Sequence, residues 1–273
     1  MSTPPNLFDR HALTRHRART EREALFLHEA AIDEVEDRLQ LVKRSFNSIG
    51  IVSPFADLWR AGFPEARIVP DSEILDLEPE SCDLIVHSMS LHWANDPVGQ
   101  LIQCRRALKP DGLFLGLMLG GKTLSELRAA LSEAESRLTG GLSPRINPMA
   151  EIRDTGALLQ RAGLNLPVVD SFDTTASYRD IWHLMRDLRA MGETNALSQR
   201  RRGFSRRGIF DLAQDIYGEH FTDPNTNRLL ATFETLCLTG WAPDDSQPKP
   251  LRPGSATARL AEALGTKETP LRD

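Results

Sequence analysis

The sequence has few cysteines, no long apolar run and no excess of basic residues, and each shortage excludes a class of protein. Three cysteines in 273 residues are too few and too scattered for a disulfide scaffold or a zinc ribbon, which favours a reducing compartment. No stretch approaches the 18 apolar residues that a membrane-spanning helix requires. A net charge of -5 argues against a generally basic nucleic-acid binder. We therefore expect no nucleic-acid partner and no integral membrane segment.

What the sequence does contain fits a packed core. Hydrophobic residues make up 40% and charged residues 26% of the chain, as in ordinary globular domains. Residues 1–6 are polar and lack the apolar region of a secretion signal, so the sequence predicts a cytoplasmic protein. The Arg- and His-rich stretch 10–22 faintly resembles a transit peptide, which leaves the mitochondrial matrix as the alternative.

Three parts can be distinguished along the chain. Residues 1–45 have apolar positions at helical spacing and predict an N-terminal helical segment. Its basic cluster (Arg15, Arg17, Arg19 and Arg22) is interpreted as a solvated helix face, or else as a patch for an acidic partner or a membrane surface. Residues 46–242 form the main domain, with a helical insert at about 177–220. The proline-rich residues 243–273 predict a poorly ordered tail.

Within the main domain, short apolar runs alternate with amphipathic helices, which predicts an α/β fold with a doubly wound parallel sheet. The predicted strands are Ser48–Val52, Ala66–Val69, a run within 83–93, Leu113–Leu119, Leu166–Phe172 and Leu229–Trp241. Leu84–Val86 and Leu113–Leu119 are continuously apolar, so they should be adjacent central strands covered on both faces. Turn chemistry is predicted at Lys109–Gly112.

Two further local predictions concern segments near the candidate site. Thr123–Glu126 has the sequence of a capping box, which predicts a helix that starts at Thr123 and buries apolar residues as far as Leu138. The polar stretch Met191–Phe204 predicts a mobile connection.

Ligands bind beyond the carboxyl ends of the strands in such sheets, so residues that end strands are the candidates for a site. These are Ser53, Asp71, Ser88–Trp93 and the pair Gly120-Gly121. His92 could act as a general base, because a histidine side chain titrates near neutral pH. Alternatively, His92 and Trp93 simply close the sheet edge, with Trp93 buried as an aromatic.

Other polar groups have two interpretations each. Gly120-Gly121 before a helix is either an anion cradle or a plain strand-to-helix turn. The run Arg200–Arg207 holds five arginines around Phe204 and is either a solvated loop or a grip for an acidic protein or phosphate. Cys82, His87 and His92 fall on different strand faces, so no metal site is expected.

One set of motifs carries a family resemblance. Asp83–Trp93, Asn95-Asp96 and the run Ala107–Phe114 resemble class I S-adenosylmethionine-dependent methyltransferases. Leu7–Arg10, Ser90–Asp96, Gly120–Arg128, Met191–Asn195 and Gly254–Ala256 resemble one subfamily: the methyltransferase-like assembly factors of respiratory NADH:ubiquinone oxidoreductase (complex I). The biotin-pathway malonyl-carrier-protein methyltransferases are more distantly similar. The resemblance covers nearly the whole chain.

The resemblance implies an antiparallel last strand, a protein substrate or complex I subunit as partner, and modification of an arginine side chain. By resemblance and strand position, the substrate-binding candidates are Ser88, Ser90, Trp93, Asn95, Glu193 and Asn195. Glu193 and Asn195 belong to the specific Met-Gly-Glu-Thr-Asn run, where capping of the preceding helix is the alternative role. The corresponding cofactor-binding candidates are Gly50, Ser53, Asp71, Gly120 and Gly121.

The chain departs from the family where S-adenosylmethionine binds. Family members carry Asp-x-Gly-x-Gly-x-Gly after the first strand, whereas Ile49–Ala56 holds one glycine, no acidic residue and Pro54. The 13 residues between Val52 and Ala66 are too few for a helix, a strand and a second helix, so we infer that the second strand and a neighbouring helix are deleted. The ribose-binding acid would be lost with them. Asp71 either replaces it or corresponds to the family's adenine-side aspartate, which we favour.

Two functions follow from the resemblance. The departure at Ile49–Ala56 favours an assembly factor that binds a protein substrate while S-adenosylmethionine binding is weak or absent. The alternative is an active S-adenosylmethionine-dependent methyltransferase, acting on a protein side chain or, with residues 178–217 as a lid, on a small acyl substrate.

Overall fold

Seven strands form one mixed sheet in the computed structural model, which describes residues 6–248 and 265–266. The strands are β1 (Ile49–Val52), β2 (Arg67–Val69), β3 (Cys82–Ser88), β4 (Leu108–Leu119), β5 (Asn165–Tyr178), β6 (Thr222–Asp223) and β7 (Arg228–Trp241). The helices are α1 (Arg10–Arg17), α2 (Phe26–Leu41), α3 (Ala56–Trp59), α4 (Pro97–Ala107), α5 (Ser125–Thr139), α6 (Ile152–Arg161), α7 (Ile181–Ala190) and α8 (Arg207–His220). All of these elements lie in a compact unit that ends at Pro243. The Gly254–Ala256 motif and most of the predicted tail lie outside the described residues.

The strand order β2-β1-β3-β4-β7-β5, with β6 on β7, confirms the predicted sheet. Leu84–Val86 pair with Leu113–Leu115 in parallel, and β7 runs antiparallel to β4, both as expected. Between β1 and β3 the chain forms one helical turn, α3, and one strand, β2, which pairs directly with β1. The sheet is therefore shortened at this edge, and its edge strand lies immediately beside β1.

The predicted turn at Lys109–Gly112 is wrong in one respect, because these residues lie within β4. The register steps from Cys82 opposite Leu108 to Leu84 opposite Leu113, so the four residues form a bulge in the strand. Asp111 has a φ of 56°, and a Cβ at Gly112 would lie 2.8 Å from the Lys109 carbonyl oxygen. The turn chemistry bends the chain at this bulge, and pairing with β3 resumes at Leu113.

Alternate side chains of the central strands enter two apolar layers, one on each face of the sheet. Leu84 and Val86 pack with α2, α5, α7 and α8 in one layer, and Ile85 packs with α4 and α6 in the other. These side chains are fully buried, as period-2 alternation between two covered faces requires. The two layers hold the strand ends, and hence the candidate site, in fixed positions.

The N-terminal segment is helical, as predicted, and forms the two helices α1 and α2 joined by a short turn. The Asp9 carboxylate caps α1 by accepting a hydrogen bond from the Ala12 amide at 3.0 Å. Phe8 forms a β-bridge with Leu197, and its ring meets the Trp93 ring edge-on at 5.2 Å between centroids. The predicted mobile connection Met191–Phe204 is therefore wrong over its first half, because Leu197 is buried against α1. Within the described part of the chain no helix has the length and apolarity to cross a membrane.

Candidate functional site

The Asp71 carboxylate, two residues beyond the end of β2, is held by two arginines of α1. Arg17 donates from Nη1 to both carboxylate oxygens, at 2.7 and 2.9 Å. Arg10 donates to Oδ2 at 3.2 Å and to the Asp71 carbonyl oxygen. The Asp71 side chain is only 6% exposed. Both oxygens that were predicted to face a cofactor are therefore occupied by guanidinium groups.

The end of β1 is covered in a similar way by α2. Ser53 is buried, and its hydroxyl accepts a hydrogen bond from the Phe55 amide at 3.2 Å. The His28 ring on α2 contacts the Phe55 ring edge-on, with 4.8 Å between centroids. Burial lowers the pKa of His28 to about 4, so this ring is neutral at physiological pH. Gly50 lies inside β1, where a Cβ would approach Cys82 Sγ to 3.0 Å, so its small size serves strand packing.

These residues do not fit S-adenosylmethionine. Small-molecule sites usually enclose several hundred Å³. The cavity between α2 and the ends of β3 and β4, lined by His28, Met89, Leu119 and Glu193 among others, holds about 10 Å³. A cavity of this size holds no more than about one water molecule. Arg10, Arg17 and His28 occupy the positions beyond β1 and β2 where the resemblance would place the cofactor.

A second polar group, His92–Trp93–Glu193, lies beyond the end of β3. His92 and Trp93 form a short 3₁₀ turn, while Glu193 comes from the loop after α7. Trp93 donates from Nε1 to Glu193 Oε2 at 2.8 Å, and His92 Nε2 lies 3.4 Å from the same oxygen. The Leu119 amide donates to His92 Nδ1 at 3.3 Å, which assigns the ring proton to Nε2, facing the carboxylate.

Glu193 has one carboxylate oxygen that the other two members of this group do not contact. Burial raises the pKa of the Glu193 carboxyl, but the hydrogen bond from His92 and the nearby charge of Arg17 outweigh it, so the pKa lies below its ordinary value. Both hydrogen bonds described above end on Oε2. Oε1 accepts none from the described residues, which leaves a carboxylate oxygen available to a ligand.

Glu193 and Trp93 both line a cavity of about 250 Å³. Its walls are mainly apolar and come from α5, α7, α8 and the strand ends. The apolar lining residues are Leu119, Leu124, Leu127, Leu131, Ile146, Met149, Met185, Leu188, Phe210 and Phe233. The polar lining residues are Trp93, Thr123, Arg145, Asn147, Arg189, Glu193, Thr194 and Asn195. An apolar cavity with a few convergent polar groups is the usual form of a binding site.

One wall of the cavity is fixed by Glu135 on α5. Its carboxylate accepts hydrogen bonds from the Ser143 amide and hydroxyl at 2.9 and 2.7 Å, and from Arg145 at 3.1 and 2.7 Å. The Arg145 guanidinium in turn lies over the Phe210 ring, 5.6 Å from its centroid. Glu135 thus ties loop 140–147 to α5 and neutralises the charge of Arg145.

The remaining substrate-binding candidates lie near this cavity but most do not line it. The hydroxyls of Ser88 and Ser90 are buried and have no hydrogen-bond partner among the described residues. Asn95 holds the N-terminal segment, since its Oδ1 accepts from the Phe8 amide at 2.8 Å. Asn195 lines the cavity and also donates to the Pro144 carbonyl oxygen at 2.8 Å, which joins its two loops. The binding roles of these residues stay predictions, as does a base role for His92.

The Gly120-Gly121 turn does not present free amides to a ligand. The Gly120 amide donates to the Glu234 carbonyl oxygen at 2.9 Å, and the Gly121 amide to the Ala150 carbonyl oxygen at 3.1 Å. A Cβ at Gly120 would lie 2.4 Å from the Glu234 carboxylate, so glycine is needed for close packing. These contacts favour the interpretation as a plain strand-to-helix turn.

The predicted capping box at Thr123 is wrong. The helix begins at Ser125, and Leu124 before it has a φ of 54° and makes no side-chain cap. The Thr123 hydroxyl instead donates to the Glu234 carbonyl oxygen at 3.2 Å, and Glu126 pairs with Thr232. Leu138, predicted to be buried, is half exposed. The side chains of Thr123 and Glu126 thus bond to β7 and do not cap the start of α5.

Sequence reasoning missed Arg10, Arg17, His28 and Arg145 as parts of the site. The basic cluster 15–22 was interpreted as a solvated face, but Arg17 turns inward to Asp71, 54 residues away. The sequence contained one signal for this contact. Arg10 and Arg17 are seven residues apart and so share one face of a helix, and Asp71 is an acidic residue at the end of a predicted strand. No cluster of three or more metal-ligating side chains occurs in the described ranges, and the absence of a metal stays a prediction.

Known proteins give this architecture a family. Residues 26–116 match the "Methyltransferase domain" family model. The mitochondrial arginine-hydroxylase NDUFAF5 of Danio rerio is 37% identical over 229 residues, which are 84% of this chain and 69% of that protein. The Homo sapiens protein of the same name is 38% identical over 73% of this chain and 57% of its own length. The malonyl-[acyl-carrier protein] O-methyltransferase of a Methylovorus strain is 35% identical over 67% of this chain and 59% of that protein.

Among solved structures, an S-adenosylmethionine-dependent methyltransferase from Archaeoglobus fulgidus covers 78% of this chain and 94% of its own at 11% identity, with a TM-score of 0.39. The chain spans between about half and two thirds of the length of the curated relatives that it matches. It belongs to the family of the mitochondrial arginine-hydroxylase NDUFAF5, within the class I S-adenosylmethionine-dependent methyltransferase superfamily.

Proposed function

We propose that this chain is an assembly factor that binds an arginine side chain of a complex I subunit in the cavity beside Glu193. The observation that carries the proposal is Glu193, which lines this cavity and whose Oε1 has no hydrogen-bond partner among the described residues, while Trp93 and His92 fix Oε2. A guanidinium on an apolar stem matches this combination of one carboxylate oxygen and leucine-rich walls. The relatives' name, arginine-hydroxylase, supports the same substrate class.

In this proposal the three residues of the His92–Trp93–Glu193 group have different tasks. Glu193 binds the guanidinium through its free oxygen. Trp93 lines the cavity and offers an aromatic ring to a cation. His92 is a positioning residue, because its side chain is fully buried and both ring nitrogens are engaged, one by Leu119 and one by Glu193.

The proposal includes weak or absent binding of S-adenosylmethionine. Asp71 is neutralised by Arg10 and Arg17, and His28 covers the turn after β1. Pro54 also removes one amide donor from that turn. We therefore assign no step to this cofactor, and a hydroxylation would require an oxidant that these residues do not supply.

A second candidate is an active methyltransferase on an acidic acyl substrate. Arg145 and Arg189 stand at the cavity and could attract a carboxylate. The similarity to malonyl-[acyl-carrier protein] O-methyltransferases adds support. We favour the guanidinium, because Glu135 already neutralises Arg145 and the free carboxylate oxygen of Glu193 would repel an acid.

The compartment remains part of the proposal. The sequence predicts a cytoplasmic protein, while the relatives' names place them in mitochondria and support the alternative. Either location is compatible with a partner that is a protein substrate.

A peptide-binding experiment tests the arginine site. We expect a synthetic peptide with a central arginine to bind, and the same peptide with citrulline in that place to bind about 30-fold more weakly. Glu193→Gln should weaken binding of the arginine peptide by a similar factor, because a charge-assisted hydrogen bond contributes about 1.5–3 kcal/mol to the binding free energy. Fluorescence polarisation of labelled peptides measures the dissociation constants.

The matched control is Glu219→Gln, which removes one negative charge from an exposed position on α8. This variant should bind the arginine peptide like the parent chain. Equal affinities of the parent chain for the arginine and citrulline peptides would contradict the proposal.

A further inference from the structure

Phe204 stands out on the surface because its side chain is 100% exposed, in a segment of arginines. Five arginines and no acidic residue lie within 200–207, in a chain whose net charge is -5. Arg201, Arg206 and Arg207 are exposed around Phe204. We call these four side chains the arginine–phenylalanine surface. A single exposed apolar side chain is ordinary. An exposed apolar side chain with several exposed cationic side chains near it along the chain is not.

Most of the charge of this surface is not paired inside the described part of the molecule. Arg201 and Arg206 form no ion pair with a described residue. Arg207 lies 3.7 Å from Asp211 and 6.0 Å from the centre of the Trp182 ring, while its side chain remains 85% exposed. Arg206 and Arg207 also stand at the start of α8, where positive charge opposes the helix dipole. Arg206, which has no ion-pair partner among the described residues, therefore does not stabilise this helix. Arg200 differs, since it pairs with Asp9 and is 15% exposed.

The surface adjoins the cavity beside Glu193. Arg145, which lines the cavity, donates to the Ser205 hydroxyl at 3.2 Å. Phe210 lines both the cavity and a shallow depression of about 480 Å³ formed with Trp182, Ser205 and Arg207. A polypeptide with one side chain in the cavity would therefore cross Phe210 and reach Arg207 and Phe204.

We propose that the arginine–phenylalanine surface docks a segment of the protein substrate that carries acidic and apolar side chains next to the arginine held in the cavity. This inference rests on the proposed function for the position of that arginine. Carboxylates of the segment would pair with Arg201, Arg206 and Arg207, and an apolar side chain would cover Phe204. The negative charge of the chain as a whole would disfavour polyanions such as nucleic acid, whereas a short acidic segment meets only the local positive charge.

The test uses six labelled synthetic peptides with the full chain. Two have a central arginine and carry glutamate and leucine residues either before it or after it. Each of these two has one version in which glutamines replace the glutamates and one version in which citrulline replaces the arginine. We expect at least one acidic peptide to bind about tenfold more tightly than its glutamine version in low salt. This tenfold difference corresponds to about 1.4 kcal/mol, which several exposed ion pairs together can supply.

The double variant R201Q/R206Q should remove this tenfold difference in affinity. Phe204→Ser should weaken binding of the acidic peptide several-fold. The matched control R153Q/R161Q removes the same charge from exposed positions on α6 and should leave all affinities unchanged. A circular dichroism spectrum identical to that of the parent chain verifies that each variant is folded.

The outcomes separate this inference from the proposed function. Acid-dependent binding that R201Q/R206Q abolishes, with arginine and citrulline equivalent, would support the docking surface and overturn the arginine site. Equal binding of acidic and glutamine peptides, or no binding of any peptide, would overturn the docking surface. Binding to vesicles that contain phosphatidylserine is measured in parallel. If R201Q/R206Q reduces vesicle binding but not peptide binding, the surface contacts membranes and the docking proposal is overturned.

Discussion

Replacing Asp71 by asparagine is expected to lower the free energy of unfolding by about 3 kcal/mol. The asparagine keeps the volume but removes the charge that two guanidinium groups share, at a side chain that is 6% exposed. Removing one partner of a buried ion pair usually has an effect of this size, because the remaining charges stay buried without compensation. Urea unfolding monitored by tryptophan fluorescence measures the change.

The matched control is Asp57→Asn. Asp57 also pairs with an arginine, Arg60 at 2.7 Å, but its side chain is 93% exposed. An exposed pair of this kind contributes little, so the control should cost less than about 0.5 kcal/mol. Similar stabilities for D71N and D57N would mean that the arginines of α1 do not hold the end of β2.

Replacing Glu135 by glutamine should also lower the free energy of unfolding by about 3 kcal/mol and should weaken binding of the arginine peptide. The carboxylate accepts four hydrogen bonds from Ser143 and Arg145 and is 3% exposed. A glutamine can accept on one atom only and turns its amide donors toward Arg145. Loop 140–147, which forms a wall of the cavity, would lose its attachment to α5.

The pH dependence gives this prediction a second readout. Although burial raises the pKa of Glu135, hydrogen bonds from Arg145 and Ser143 lower it to about 2. Because the folded pKa is below the unfolded value, the stabilisation is present above about pH 4.5 and is lost as the pH falls toward 2. The difference in the free energy of unfolding between the parent chain and E135Q should therefore shrink as the pH falls from about 4.5 toward 2.

Glu133→Gln is the control for Glu135. Glu133 lies on the same helix and pairs with Arg137, four residues along, at the surface. This change should have an effect below about 0.5 kcal/mol at any pH. A Glu135→Gln variant as stable as Glu133→Gln would contradict the assignment of Glu135 as the anchor of the cavity wall.

The sheet could be predicted from the sequence because its signals are local. Continuous apolar runs such as Leu113–Leu119 require burial on both faces, and that alone places β4 in the centre of the sheet. The shortened edge followed from the small number of residues between Val52 and Ala66. The full length of β5 could not be predicted, because most of its positions are partly or fully exposed and the sequence has no apolar run beyond Phe172.

Contacts between distant segments could not be predicted in the same way. Nothing in the residues around Arg17 distinguishes an inward-facing arginine from a solvated one, since its partner Asp71 is 54 positions along the chain. Thr123 has the right local sequence for a cap, yet the β7 backbone competes for its hydroxyl. Glu193 was a candidate through resemblance alone, and only the fold shows that one of its oxygens is anchored while the other lacks a partner among the described residues.

The most direct test of the central claim is a calorimetric titration of the full chain with S-adenosylhomocysteine, with S-adenosylmethionine as a second ligand. Arg10, Arg17 and His28 cover the ends of β1 and β2, and two or three of the usual cofactor contacts are missing. We therefore expect no saturable heat below about millimolar ligand. A dissociation constant below about 10 μM would contradict it and restore an active methyltransferase.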